Sequence, residues 1–374
     1  MKTPKSIYKS LECRVKSAIY ARKDFRTSRH IVVFESDDWG SIRMSNKADW
    51  NALLQKGYAV DKRPYERFDT LESPQDVEAL FEVLRKHKDS QGRHPVITAN
   101  MLMANPDFDK IRKHNFQEYF YEPIADTYSR YFGSSQVLDL MKQGYAEGLI
   151  MPQSHGREHF NIAEWIKALQ RGDEDVMKAF DYGMCGIAPK AHPEEGNHFM
   201  VALRATDETD QKVVDESVKE GLELFNALWG FSSKTFVAPC YAWNGRIEKI
   251  LAEHGVQLIQ SSRVSKPVYQ QGATYRYAGQ HNQYGQTYSI RNCAFEPANA
   301  VDDEADKALS QIKNAFDEKK IAVFSTHRIN YVGGLDENNR TKNLKLLDKL
   351  LTGIEKQYSD VEFWSSDKLI YTLV

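Results

Sequence analysis

The feature that most constrains this chain is a repeated alternation of short β-branched or aromatic runs with longer stretches of helical spacing. Ile31 to Phe34, Pro95 to Asn100, Leu149 to Pro152, Thr235 to Ala238, Val256 to Gln260, Thr287 to Arg291, Ile321 to Ser325 and Val361 to Trp364 each read as a strand. The first, Ile31-Val32-Val33-Phe34, is apolar throughout, as a strand covered on both faces is. Between the runs, apolar residues fall at three- and four-residue spacing. This predicts helices over Pro74 to Lys88 behind a Ser73-Pro74 start, Ser135 to Lys142, Val213 to Leu228, Ile247 to His254, Ala305 to Phe316 and Leu344 to Tyr358. Strands and helices that alternate in this way form a mainly parallel sheet with helices outside, an α/β fold. Eight strand candidates fit a (β/α) barrel of seven or eight strands with long loop insertions. Met103 to Phe132 and Cys185 to Asp210 are those insertions, on the side where loops build substrate sites.

Chemistry-bearing residues gather at the predicted strand ends. Asp37 and Asp38 directly follow the first strand, and carboxylates at the carboxyl end of a barrel strand are where such enzymes place their chemistry. His155 and His159 lie in Ser154-His155-Gly156-Arg157-Glu158-His159, a spacing that predicts projection from one side of a helical turn. An imidazole pair joined by a distant carboxylate is a sufficient protein shell for Zn²⁺ with one position open. One Asp would then bind the ion and its neighbour serve as base. Phe236-Val237-Ala238-Pro239-Cys240-Tyr241 and Val323-Phe324-Ser325-Thr326-His327-Arg328 add two further strand-end motifs. Trp39, Tyr241, Trp243 and Tyr331 lie beside these motifs, and aromatic planes suit the C–H faces of sugar rings. His192 and His198 sit six residues apart in a loop and read as polar surface rather than a second metal site.

On these residues the chain resembles the polysaccharide deacetylase family, the chitin and chitooligosaccharide deacetylases and their relatives, as a divergent member. The family's Thr-Phe-Asp-Asp-Gly motif is matched by Glu35-Ser36-Asp37-Asp38, with Trp39 inserted before Gly40. Its Ser-His-x-x-x-His motif is matched fully by Ser154 to His159, and Gly148-Leu149-Ile150 stands where the family has its Gly-His-Glu-Ile strand. Phe-Arg-x-Pro is matched by Phe236 to Pro239 with Val237 in place of arginine, and the strand ending in His by Ala322 to His327. The resemblance covers residues 30 to 374 and implies a distorted seven-stranded barrel. It also implies that Asp38, His155 and His159 hold the metal, Asp37 is the base, and His327 protonates the leaving amine. The backbone N–H after Pro239 would face the oxyanion.

Two departures shape the expectations. Val237 replaces the arginine that orients the catalytic Asp, so another cation must serve: Arg328 is the first candidate, Arg157 the second and Arg263 the third. The family's fourth motif carries an acidic residue after the fifth strand, where this chain has Ser261-Ser262-Arg263, and Glu296 is an alternative partner for His327.

Composition places few further bounds. The chain has 374 residues, a formal net charge of −2, and no basic-aromatic signature of nucleic-acid binding. Cys13, Cys185, Cys240 and Cys293 form no Cys-x-x-Cys and fit reduced thiols. Residues 1–29 form a basic amphipathic segment ahead of a single barrel domain over 30–374. Ile7, Leu11, Val15, Ala18 and Ile19 share one helical face there, with Lys5, Lys9, Arg14, Lys16 and Arg22 largely around it. Such a helix would either dock on the barrel or make peripheral contact with an anionic membrane. With no secretory core or membrane span in this stretch, the expected location is cytoplasmic.

The expected activity is metal-dependent hydrolysis of a non-peptide amide. An N-acetyl or other acyl group would leave an amino sugar in a polysaccharide or glycan precursor, with Zn²⁺ or another divalent ion such as Co²⁺. Substrate contacts are expected from Trp39, Pro239, Cys240, Tyr241, Trp243 and Arg328. The alternatives are a non-catalytic metal- or carbohydrate-binding barrel, or a glycoside hydrolase, which needs two carboxylates flanking the bond.

Overall fold

The computed structural model of the protein describes residues 4–299 and 304–373, with side chains of the first helix described from Glu12 onward. After helix α1 (Pro4–Ala21) comes the central strand β1 (Ile31–Trp39), then α2 (Pro74–Arg85), β2 (Ile97–Leu102), α3 (Gln136–Ala146) and β3 (Ile150–Gly156). The chain continues through α4 (Glu208–Trp229), β4 (Thr235–Val237), α5 (Gly245–Glu253), β5 (Leu258–Ser261), β6 (Thr287–Ile290) and β7 (Cys293–Ala294). It ends with α6 (Glu304–Asp317), β8 (Ala322–His327), α7 (Glu337–Gln357) and β9 (Glu362–Trp364). The strand order is β6-β5-β4-β3-β2-β1-β8-β7, with β9 paired to the start of β1. Every pairing in this sheet is parallel.

The two ends of that order are one piece of chain. β6 pairs with β5, and two residues later β7 pairs with β8. The bend between them is Arg291-Asn292, where the Arg291 N–H donates to Ser261 O and the Asn292 N–H to Val323 O. A single segment therefore serves both edges, and the sheet closes as a distorted (β/α) barrel of seven staves with β9 as an extra strand at its base. Closure leaves no stave as a free edge.

The strands are buried because both faces are covered. Along β1, Val32 and Phe34 pack outward into the main core with α2, α6 and α7, and Phe34 stacks on Phe324 at 4.9 Å. Ile31 and Val33 point the other way, into a cluster with Leu258, Ile321 and Val323 that plugs the barrel base. Each such side chain contributes roughly 1.5–3 kcal/mol by leaving water. Above this plug the interior turns polar: Glu35, Thr98, Asn100, Thr235 and Gln260 are all fully buried. The helices start as their sequences imply, α2 with a capping box between Ser73 and Asp76.

The N-terminal helix docks by a different face from the expected one. Tyr20 packs its ring against Tyr275 and Tyr277, at 5.6 and 6.4 Å. Val15 and Ile19, on the predicted apolar face, are exposed. The side chains of Lys5, Ile7, Lys9 and Leu11 lie outside the described residues. Among the described residues no helix is long and apolar enough to cross a membrane.

Candidate metal centre

The site is built where β1 ends. Successive strand residues normally point to opposite faces, so two adjacent carboxylates should diverge. Here the pairing of β1 with β2 slips between Ser36 and Trp39, and Asp38 takes a left-handed φ of 74°. This bulge turns both Asp37 and Asp38 toward the barrel mouth and sends Trp39 into the core. Asp37 sits in register with His327 on β8.

Asp38, His155 and His159 converge. Asp38 Oδ1 lies 3.6 Å from His155 Nε2 and 3.4 Å from His159 Nε2, and all three residues are buried. Neither Asp38 Oδ1 nor His155 Nε2 has a hydrogen-bond partner. His155 Nδ1 donates to Val237 O at 2.7 Å, which leaves the Nε2 lone pair aimed at the cluster. Burial, opposed in part by Asp38, pushes the His159 pKa down to about 3 and keeps that ring neutral. Two ligands at bonds of 2.0–2.2 Å and a tetrahedral angle stand about 3.3–3.6 Å apart. The spacing and the orphaned lone pairs therefore fit a small divalent cation. The spacing predicts that one helical turn presents both imidazoles, and the structure corrects this. His155 is a strand residue, Gly156 follows at φ 113°, and the chain runs on without helix to His159.

Arg291, which the sequence reading passed over, supplies the cation missing at Val237. Its Nη1 and Nη2 donate to Asp37 Oδ2 and Oδ1, each at 2.7 Å, and its Nε donates to Glu35 at 2.6 Å. Burial opposes ionisation of Asp37, but the guanidinium outweighs it and holds the carboxyl at about 2. Asn100 donates to the same Asp37 Oδ1 at 2.8 Å. None of the three expected arginines reaches Asp37: Arg328 pairs with Asp69 and Glu72, Arg157 with Glu158 and Glu220, and Arg263 with Asp24. Inward-facing Ser289 and Arg291 on the strand predicted over Thr287 to Arg291 were the available signal; a buried arginine at a strand end asks for a carboxylate.

A second unexpected arginine meets the metal cluster. Arg43 Nη2 donates to Asp38 Oδ2 at 2.9 Å, on the side away from the imidazoles. Burial works against the charge on Asp38, yet Arg43 and the two histidines hold it ionised well below the usual range. His327 takes its partner from the β7–α6 connection: Nδ1 lies 2.5 Å from Glu296, while Nε2 faces Asp37 Oδ2 at 3.9 Å. Burial would lower the His327 pKa, but Glu296 and the two aspartates raise it to about 9.

These residues floor a cavity of about 310 Å³. Cys240 and Tyr241 line it, and both adopt positive φ, 56° and 55°. The turn they form bonds Tyr241 N–H to Ala238 O and Ala242 N–H to Pro239 O, leaving the Cys240 N–H outside those two bonds. The expected substrate contacts Trp39, Trp243 and Arg328 do not reach the cavity. Trp39 is in the core with its Nε1 on Ser36, Trp243 donates to Glu248 inside a second core cluster, and Arg328 is fully buried among carboxylates. Pro239 is buried beneath the turn, and Tyr331 is buried against Trp39. His192 and His198 are exposed and pair with Glu194 and Glu195.

Fold and site together define a (β/α) barrel with an Asp-His-His cluster and a carboxylate–arginine pair at its mouth. No family model matches the chain, and no curated protein matches it. Among solved structures it is similar to a probable polysaccharide deacetylase from Pseudomonas aeruginosa PAO1, at 8% identity over 92% of this chain and 91% of that one, with a TM-score of 0.43. It is also similar to Puue allantoinase, at 10% identity over 92% and 90% of the chains, with a TM-score of 0.43. A third is BA3943 from Bacillus anthracis, described as a CE4 family pseudoenzyme, at 10% identity over 91% and 66%, with a TM-score of 0.36. Likeness at this level says nothing of chemistry.

Proposed function

We propose that this chain is a metal-dependent amide hydrolase that removes an N-acetyl or other acyl group from an amino sugar of a glycan. The observation that carries this reading is the convergence of Asp38 Oδ1, His155 Nε2 and His159 Nε2, beside an Asp37 held ionised by Arg291. Asp38, His155 and His159 would hold a divalent ion, Zn²⁺ or another such as Co²⁺, which supplies Lewis acidity toward a carbonyl oxygen and toward water.

The chain's own groups supply the rest. Asp37 takes the proton released as water attacks the amide carbon; Arg291 and Asn100 fix where its oxygens point. The Cys240 N–H stabilises the negative charge that develops on the carbonyl oxygen. His327, kept protonated by Glu296, gives a proton to the departing nitrogen, which is otherwise a very poor leaving group. Tyr241 lines the cavity where a sugar ring would stack.

Loss of the motif arginine and of the fourth-motif acid would favour a non-catalytic barrel. Arg291 pairs with Asp37 and Glu296 with His327, which supports the catalytic reading over the non-catalytic one. A glycoside hydrolase needs two carboxylates with room for a bond between them. Asp37 and Asp38 are instead each engaged by an arginine. The test is acetate release from N- and O-acetylated glycans with Zn²⁺ or Co²⁺ supplied. Purified protein without a stoichiometric site for either metal would sink the reading.

A further inference from the structure

The cavity above the metal cluster has walls that meet. Arg63, Tyr65 and Glu66 line it from one segment; Ile187, Asn197 and Met200 line it from the second insertion. Arg63 Nη1 donates to Glu194 O at 3.0 Å, and its guanidinium lies so close over Gly196 that a Cβ there would stand 2.7 Å from Cζ. The insertion is joined to the opposite rim as well, where Cys240 Sγ donates to Met200 O at 3.4 Å. The wall is therefore continuous from Arg63 through the insertion to Cys240. At about 310 Å³ the space is at the small end of ligand pockets, which run from about 300 to 1,000 Å³. Asp38 and His155 sit on its floor at 1% exposure.

From this we infer that the pocket is blind and takes its acylated sugar end-on: a free N-acyl amino sugar, or the terminal residue of a chain, and not an interior residue. The inference rests on the amide-hydrolase reading above. An interior residue would need the glycan to leave in two directions, and the Arg63-to-Cys240 wall closes one of them. Glu66 supports a bound terminal ring. Its Oε2 is buried in the wall with Arg63 Nε at 3.9 Å and no hydrogen-bond partner, and terminal sugar hydroxyls are donors that could complete it.

The probe is the fully N-acetylated pentamer of N-acetylglucosamine, given to the full metal-loaded chain. Mass spectrometry locates the lost acetyl groups, and saturation-transfer NMR reads ring-by-ring contact independently of turnover. Acetate lost from one terminal ring, with saturation strongest on that ring, is expected. Arg63→Ala should then raise interior relative to terminal loss by about tenfold or more, the scale on which pocket walls discriminate. Interior rings losing acetate as fast as the terminal one in the unaltered protein would overturn the inference, as would saturation in neither the pentamer nor free N-acetylglucosamine. Terminal-ring saturation without acetate release would overturn the amide-hydrolase reading and leave end-on binding standing.

Discussion

Arg291 grips Asp37 through both carboxylate oxygens at 2.7 Å, although the two residues are 254 positions apart. The same guanidinium reaches Glu35 through Nε, so one cation balances two buried carboxylates. A lysine supplies a point charge without the fork. Arg291→Lys is expected to lower kcat by about 10²–10⁴-fold, the range of general-base contributions, with metal affinity by equilibrium dialysis near that of the parent. Arg291→Met leaves both carboxylates uncompensated and should cost about 3–5 kcal/mol in urea denaturation. Unchanged kcat in the lysine variant would remove Arg291 from the mechanism.

His327 should titrate near 9 in the metal-free protein, read by NMR of the imidazole. Its folded pKa lies above the ordinary 6.5, so the stability this pair contributes is fully present below 6.5 and lost as pH rises through about 9. Glu296→Gln should bring the titration down toward 6.5 and flatten that alkaline loss. An imidazole that already titrates near 6.5 in the parent protein would refute the assignment.

Metal addition should raise the unfolding temperature, because binding to the folded state alone contributes about 2.7 kcal/mol at a hundredfold excess over Kd. His155→Ala or His159→Ala removes one of three protein ligands and should abolish both the shift and the stoichiometric ion seen by elemental analysis. Asp37→Asn should retain the ion, since Asp37 is held by Arg291 and lies outside the Asp38-His155-His159 cluster. Loss of the ion in that variant would require a different shell.

Gly221 on α4 supports the histidine segment from behind. A Cβ there would lie 2.6 Å from Arg157 N and 2.9 Å from Gly156 C, and backbone cannot step aside as a side chain can. Gly221→Ala is therefore expected to destabilise the fold by about 1–3 kcal/mol and to weaken metal binding, although residue 221 touches no ligand. Calorimetric titration with Zn²⁺ checks it; parent-like affinity would show that the segment yields without moving the imidazoles.

Strand positions and the residues that converge as the Asp38-His155-His159 cluster were legible in the sequence because each rests on local pattern. Ile31 to Phe34 declares a buried strand, and His155 and His159 carry their spacing with them. The partners of Asp37 were not legible. Arg291 reaches it only because β6 and β7 are one segment closing the barrel, a fact of topology rather than of neighbourhood. Arg43 sits five residues after Asp38 but needs the bulge to turn that carboxylate inward. The same bulge explains why Trp39 reads as a substrate contact by proximity and is core by geometry. Arg328 neighbours His327 in sequence, yet it points outward into Asp69 and Glu72.

The thinnest joints of the barrel coincide with the candidate site. β3 meets β4 through a single register pair, and β8 meets β7 through two. Across the first joint His155 reaches Val237 O, and beside the second Arg291 clasps Glu35 and Asp37. Active-site groups commonly sit under strain, so that replacing them stabilises a protein. In this barrel the candidate-site side chains His155 and Arg291 double as hoops. Removing His155 or Arg291 should loosen the staves, and hydrogen exchange at β4 and β7 should quicken while the helices keep their protection.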